Sequence, residues 1–382
     1  MNSRERVLCS LSHREPDRVP LDIGGTSFTG VHRDAYSRLA RHLGFKEDAP
    51  ILDPILQVAR PEEALLQELA VDVRSIVPNS PDNWEAHYTD SDRYRQFIDE
   101  WGVEWATPKV GGLYFDMIGH PLSNCTGVSE LAKYKCPDGA NAGRFKSLRE
   151  YTESIATRTN ATIAMEPIYA GVFETASWLR GYRQFYVDLG NNPALVHAIL
   201  DMVLEVRLAY WGKVLEELGD LIDVVLEADD LGHQTNSLIS PQMYRRYLQP
   251  RHKELFHFIK SHSHAAVFLH SCGAIYRLIP DLIEAGVDIL NPIQLSAANM
   301  GDTKKLKQEF GQYLTFWGGG IDTQSILPRG TPQEVREEVR KRIEDLAPGG
   351  GFVFAAAHNI QPDTPTENIM SVWEAWKEYG HY

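Results

Sequence analysis

From about residue 160 onward the chain alternates short apolar runs, rich in β-branched residues, with longer amphipathic segments, and this rhythm constrains its fold more than any other feature. The strand-like runs are TIAMEP (162–167), DVVLEADD (223–230), AVFLHSC (266–272), DILNPIQ (288–294), LTFWGGG (314–320) and FVFAAAHN (352–359). Helical patterns lie between them at about 193–218, 241–262, 275–286 and 332–346, two of them opened by Ser240-Pro241 and Thr331-Pro332. Proline at a first helical turn surrenders only an N–H that would be unpaired there anyway. Upstream, RVPLDIG (18–24) and DVRSIVP (72–78) read as two further strands, with the helix-like DAYSRLARHLG between them. Alternating strands and helices predict βα units and a parallel sheet, and eight strands in 382 residues predict a (β/α)8 TIM barrel with an N-terminal extension. Residues 83–135 interrupt the rhythm with aromatic and turn-rich sequence, expected as a β-hairpin insertion between the second and third strands that helps build a lid or wall. No internal repeat, low-complexity tract or linker divides the chain, so 1–382 reads as a single decorated domain.

Polar residues gather where the runs end: Glu166; Glu227, Asp229 and Asp230; His270 and Cys272; Asn291 and Gln294; Asp322; His358 and Asn359. In a parallel barrel all these ends open onto one face, where active sites of such barrels are built. Within FLHSCGAI, His270 and Cys272 are two apart and project to the same side of a strand, while Ser271 faces away. Zinc favours thiolate and imidazole, and catalytic zinc sites take three protein ligands and leave a fourth place open. His270 and Cys272 supply two donors, and His358, ending the last run, is the candidate third. A plainer account also stands, in which Cys272 is a small buried hydrophobe and His270 bonds a neighbouring carboxylate.

Glu227 and Asp229 share one strand face, from which they could orient an imidazole, bind substrate or donate protons; Asp230, before Leu-Gly, either joins them as a catalytic candidate or ends the strand in a turn. Glu166, Tyr169, Asn291, Gln294 and Asp322 are candidates for substrate binding, although strand-end Asp and Asn also cap helices. WGGGID (317–322) lacks the lysine and spacing of nucleotide-binding loops and predicts close backbone approach to a ligand; no G-x-S-x-G elbow occurs. Trp101, Trp105, Tyr114, Phe115, Tyr169, Phe173 and Trp178 either fill the core or line a ring-accepting mouth.

A net charge of −14 and the lack of a basic stripe argue against a nucleic-acid partner. The N-terminal stretch MNSRERVLCSLSHREPDRVP lacks the apolar core of a signal peptide, and no run of about 18 apolar residues is present, so no membrane span is expected and a cytoplasmic location is. Four scattered cysteines, Cys9, Cys125, Cys136 and Cys272, suit free thiols or a ligand rather than a disulfide frame.

The stretches DDLGHQTNSLISPQMYRRYLQPRHKEL (229–255), FLHSCGAIYRLIPDLIEAGVDILNPIQ (268–294), WGGGIDTQSILPRGTP (317–332) and HNIQPDTPTENI (358–369) resemble the uroporphyrinogen decarboxylase superfamily, more loosely joined by RVPLDIGG and GVFETASWLRGY (171–182). The resemblance implies a (β/α)8 barrel with a deep central cleft and two alternative chemistries. The decarboxylases work without metal and hold a carboxylated tetrapyrrole with an N-terminal arginine motif, for which DRVPLDIGGTSFTG has no counterpart. The corrinoid-dependent methyltransferases use His-x-Cys and a later cysteine on zinc; here His270-Ser271-Cys272 matches the first part and His358 stands in the later position before QPDTP. What this branch implies is Zn2+ acting as a Lewis acid, a corrinoid (cobalamin) carried by a partner protein that docks at the C-terminal barrel face, and a small methyl donor or acceptor. With one thiolate rather than two the metal stays a stronger acid, which favours methyl removal from an oxygen compound such as a methoxylated aromatic over thiolate activation. A metal-independent lyase and a barrel that only binds are the other readings.

Overall fold

The computed structural model describes residues 1–382. Strands Val73–Ile76, Thr162–Met165, Val224–Ala228, Ala266–His270, Ile289–Asn291, Thr315–Trp317 and Phe352–Val353 pair in parallel, each with its successor in the chain, as one curled seven-stranded sheet. The segment 20–25 joins the two edges. Leu21 bridges Phe354, the Asp22 N–H donates to the Phe354 carbonyl at 2.8 Å, and the Asp72 N–H donates to the Leu21 carbonyl at 2.8 Å. Eight staves in the expected order thus close a (β/α)8 barrel. The first is irregular for local reasons: Pro20 has no N–H to give, and the Leu21 N–H goes to the Asp72 carboxylate at 2.9 Å rather than to a ladder.

Helices Pro193–Leu218 and Pro332–Leu346 span the expected ranges, the second from the expected Pro332, with Asn192 and Thr331 accepting N–H groups of the first turn. The pattern at 241–262 divides into Pro241–Tyr247 and Gln249–His262, because Pro250 can open a helix but cannot continue one. The insertion extends the expected hairpin into a four-stranded antiparallel meander, Thr89–Asp90, Tyr94–Ile98, Glu104–Pro108 and Asp116–Gly119, whose inner side buries Phe97 and Trp105. Between it and the third barrel strand lies helix Leu148–Thr159, which strand rhythm alone did not reveal.

The barrel lumen is lined by Val73, Ala164, Val224, Leu226, Phe268, Ile289, Trp317, Val353 and Ala355, and helix Ser3–Leu11 closes its lower end by adding Val7 to the same cluster. These residues establish which parity of each strand points inward. Continued upward by steps of two, the inward parity reaches Asp230, His270 and Cys272, and Asn291, while Glu227 and Asp229 point to the helix layer. His270 stands level with Ala228 on one neighbouring strand and Asn291 on the other.

Candidate metal centre and its surroundings

The fifth barrel strand delivers His270 into the lumen and then turns sharply. Ser271, on the opposite face, accepts the Leu231 N–H at 3.1 Å, and Gly273 follows at φ +88°, where a Cβ would stand 2.4 Å from the Gly232 backbone. Only glycine permits that crossing of two loops, which leaves the Cys272 side chain beside His270. His270 Nδ1 is 2.5 Å from Asn291 Oδ1, and Asn291 Nδ2 donates to the Trp317 carbonyl at 2.7 Å. With the amide so oriented, Oδ1 can only accept, so Nδ1 carries a proton and Nε2 is the ring nitrogen turned toward Cys272. That Nε2 lies 3.1 Å from Cys272 Sγ. His358 arrives from the loop after the eighth strand, its ring centroid 5.8 Å from that of His270 at 73°.

One donor atom from each of His270, Cys272 and His358 lies within 4.8 Å of the other two. Donors at about 2.0–2.3 Å from a tetrahedral zinc stand about 3.3–3.8 Å apart, so a small side-chain adjustment fits all three around one ion and leaves a fourth place. The Asn291 bond supplies the outer-shell orientation that metal-binding imidazoles normally have. Donor chemistry, number and support therefore fit zinc.

Acidic groups stand beside the trio. Asp230 Oδ1 accepts the Cys272 N–H at 2.7 Å and stands 3.7 Å from His270 Nε2, and Glu174 in turn accepts the Asp230 N–H at 3.0 Å. Burial, then the charges of Asp230 and Glu174, push the Cys272 thiol well above its ordinary range, so thiolate forms there only with a cation to hold it. Burial, then the neighbouring His270, lower His358 to about 4, which keeps its imidazole neutral and able to donate a lone pair. Phe28 stacks on the His270 ring at 4.7 Å and 23°. Its turn, Ser27–Thr29, is tied to both sides of the barrel: the Ser27 N–H and hydroxyl donate to Glu166 at 2.8 and 2.6 Å, and the Gly30 N–H donates to Asn359 at 2.7 Å.

The remaining candidates have definite places. Glu227 accepts from Arg207 and Trp211 behind the strand, fully buried. Asp229 accepts the Phe173 and Glu174 N–H groups, each at 2.9 Å, and faces His252 Nε2 at 3.0 Å, so it caps helix Val172–Arg180 from another strand. Asp322 closes its own turn, accepting the Gln324 N–H at 2.9 Å and the Ser325 hydroxyl. None of the three bonds to a member of the donor trio. Glu227 and Asp229 do share a face, but it is the outer one. Gln294 supports the cysteine loop by accepting the Gly273 N–H at 2.7 Å. Tyr169, held at φ +62°, gives its hydroxyl to Glu100, which a buried ion pair to Arg144 anchors. Trp101, Trp105, Phe115 and Phe173 are core, whereas Tyr114, Tyr169 and Trp178 are only half-buried.

Two neighbours of the trio escaped sequence reasoning, Glu174 and Phe28. Both sit after strand ends, in GVFETASWLRGY and GGTSFTG, where the period-two rule no longer says which way a side chain goes.

The family model described as Uroporphyrinogen decarboxylase (URO-D) matches residues 119–379. Among curated proteins the chain is similar to the methylated-thiol–coenzyme M methyltransferase of Methanosarcina mazei, 24% identical over 239 residues, 62% of this chain and 59% of that protein. It is also similar to the methylcobamide:CoM methyltransferase MtaA of Methanosarcina barkeri, 27% identical over 55% of this chain and 56% of that one. A third relative is the uroporphyrinogen decarboxylase of Thermus thermophilus, 27% identical over 49% of this chain and 50% of that one. The chain thus spans between half and three fifths of the length of these relatives. A solved methyltransferase structure from Methanosarcina mazei shares the fold across 99% of both chains, with a TM-score of 0.67 at 20% identity.

Proposed function

Since the chain belongs to the uroporphyrinogen decarboxylase family, we propose that it is a zinc-dependent methyltransferase that moves a methyl group between a small substrate, a methoxylated and possibly aromatic compound, and a corrinoid carried by a partner protein. The observation that carries this reading is the convergence of His270, Cys272 and His358 within 4.8 Å, at the strand ends where barrel active sites are built. His270, Cys272 and His358 would hold zinc, which would supply a Lewis acid at an ether oxygen, so that the methyl–oxygen bond could break with its electron pair left on the alkoxide or phenoxide and the methyl could pass to a reduced corrinoid. The chain's own residues do the rest. Asn291 holds the His270 tautomer, Asp230 fixes the Cys272 backbone, and Phe28 keeps one side of the site apolar. One thiolate and two neutral imidazoles leave a bound ion more acidic than two thiolates would, which favours an oxygen compound.

The metal-independent decarboxylase remains the alternative, because decarboxylases stand among the relatives. Against it, the loop after the first stave presents Phe28 rather than an arginine. We expect about one zinc per chain, lost in Cys272→Ala and in His358→Ala, together with methyl transfer from a methoxyarene to a reduced corrinoid protein that stops in both variants. Turnover by a zinc-free chain, with the metal content measured on the same sample, sinks the reading.

A further inference from the structure

One short stretch of chain holds both imidazoles of the donor trio. Asn291 fixes one edge of the His270 ring, but a single bond there leaves rotation about Cβ–Cγ, a torsion with broad preferences. Phe28 restricts it, its ring stacked on that of His270 with centroids 4.7 Å apart and planes at 23°. The turn that carries Phe28 is itself stiff. Inside it the Thr26 and Thr29 hydroxyls lie 2.8 Å apart and the Gly24 N–H donates to the Thr29 carbonyl at 2.8 Å; outside it Glu166 accepts the Ser27 N–H at 2.8 Å.

The residues that follow grip the loop of His358. Asn359 Oδ1 accepts the Gly30 N–H at 2.7 Å, the Ile360 N–H donates to the Gly30 carbonyl at 2.9 Å, and the His32 N–H donates to the Ile360 carbonyl at 2.9 Å. Three bonds thus place the backbone directly after His358. The stretch has no slack on its far side, since a Cβ on Gly30 would stand 2.2 Å from Val58 Cγ1. The two imidazoles come from different strands, and their ring centroids are 5.8 Å apart.

Resting on the metal-site reading above, we propose that the stretch from Phe28 to His32 is the spacer between the two histidine donors, with Phe28 a positioning residue for His270 and Asn359 one for His358. Each acts on a metal only through an imidazole.

Zinc affinity of the full chain, measured by competition with a chromophoric chelator, is expected to fall about tenfold in Phe28→Ala and about tenfold in Asn359→Ala, and to hold in Phe28→Tyr, which keeps the ring. Because both residues act through one stretch, the double variant should lose clearly less than the roughly hundredfold product of two independent losses. The visible spectrum of the cobalt-substituted chain should change in both single variants and not in Phe28→Tyr. Wild-type affinity in the single variants, or losses that multiply in the double variant, overturn the proposal. Asn359→Ser takes the place of Asn359→Ala if the latter does not fold. A further arm uses the metal-free chain, where Phe28→Ala should speed hydrogen exchange at the Ile360 N–H, which is bonded to the Gly30 carbonyl. Unchanged exchange there overturns the proposal. A wild-type chain that takes up no zinc overturns the metal-site reading instead, and the exchange arm still decides whether Phe28 steadies the loop of His358.

Discussion

At the level of single residues, neighbourhood decides what a carboxyl group does. Asp229 and Asp230 are adjacent in sequence, yet one bonds two helix N–H groups and the other borders the donor trio. Glu166 illustrates a third outcome. It lies fully buried in the lumen, and burial raises it to about 7 in spite of the Ser27 bonds that favour its charged form. Its stabilising contribution is therefore complete below the ordinary carboxyl range and disappears as pH rises toward 7, because over that window the folded chain keeps a proton the unfolded chain has released. In Glu166→Gln that slope should vanish. Relative to wild type, the variant is expected to gain up to about 3 kcal/mol between pH 4.5 and pH 8 in denaturant titrations. A pH-independent difference between the two proteins would show that Glu166 does not titrate in this window.

Among the elements, helix Val172–Arg180 matters most to the site because it carries Glu174, and its start is secured by a residue outside itself. Gly171 offers no side chain to its first turn, so Asp229 supplies the acceptors from the end of the fourth barrel strand, backed by His252, which is itself 3.0 Å from the Tyr244 hydroxyl. Removing Asp229 leaves two buried N–H groups and an imidazole unpaired. Asp229→Ala is expected to cost about 2–4 kcal/mol, with faster hydrogen exchange concentrated at Phe173 and Glu174. Exchange that rises uniformly over the chain, or not at all, would contradict a capping role. The helix starts at Pro241 and Pro332 were legible because proline acts locally. The cap by Asp229 was not, since the donors and the acceptor lie on separate βα units.

On the scale of the whole molecule, closure of the barrel depends on few groups. Asp72 is fully buried where the first and second staves meet, paired with Arg6 and Arg18 at 2.8 Å each and accepting the Leu21 N–H. Asp72→Asn leaves two guanidiniums facing a neutral group, and should lower stability by about 3 kcal/mol, read as an earlier denaturant midpoint at unchanged slope. A loss under about 0.5 kcal/mol would mean that the seam is held by its backbone bonds alone.

The number and order of the staves follow from the chain's local pattern, because an apolar run between amphipathic segments has few other places to go. So does the pairing of His270 with Cys272, since residues two apart along a strand share a side whatever surrounds them. Which side that is belongs to the fold. In Val224–Ala228 every residue is buried, so parity could group Glu227 with Asp229 but could not say whether lumen or helix layer lay beyond them. That was decided by the packing of Leu226 and Phe268 into a common lumen, which sent Glu227 to Arg207 and Asp230 to Cys272. His358 and Phe28 reach the site on loops and Glu174 on a helix, each from a different βα unit, and only closure of the barrel brings them together.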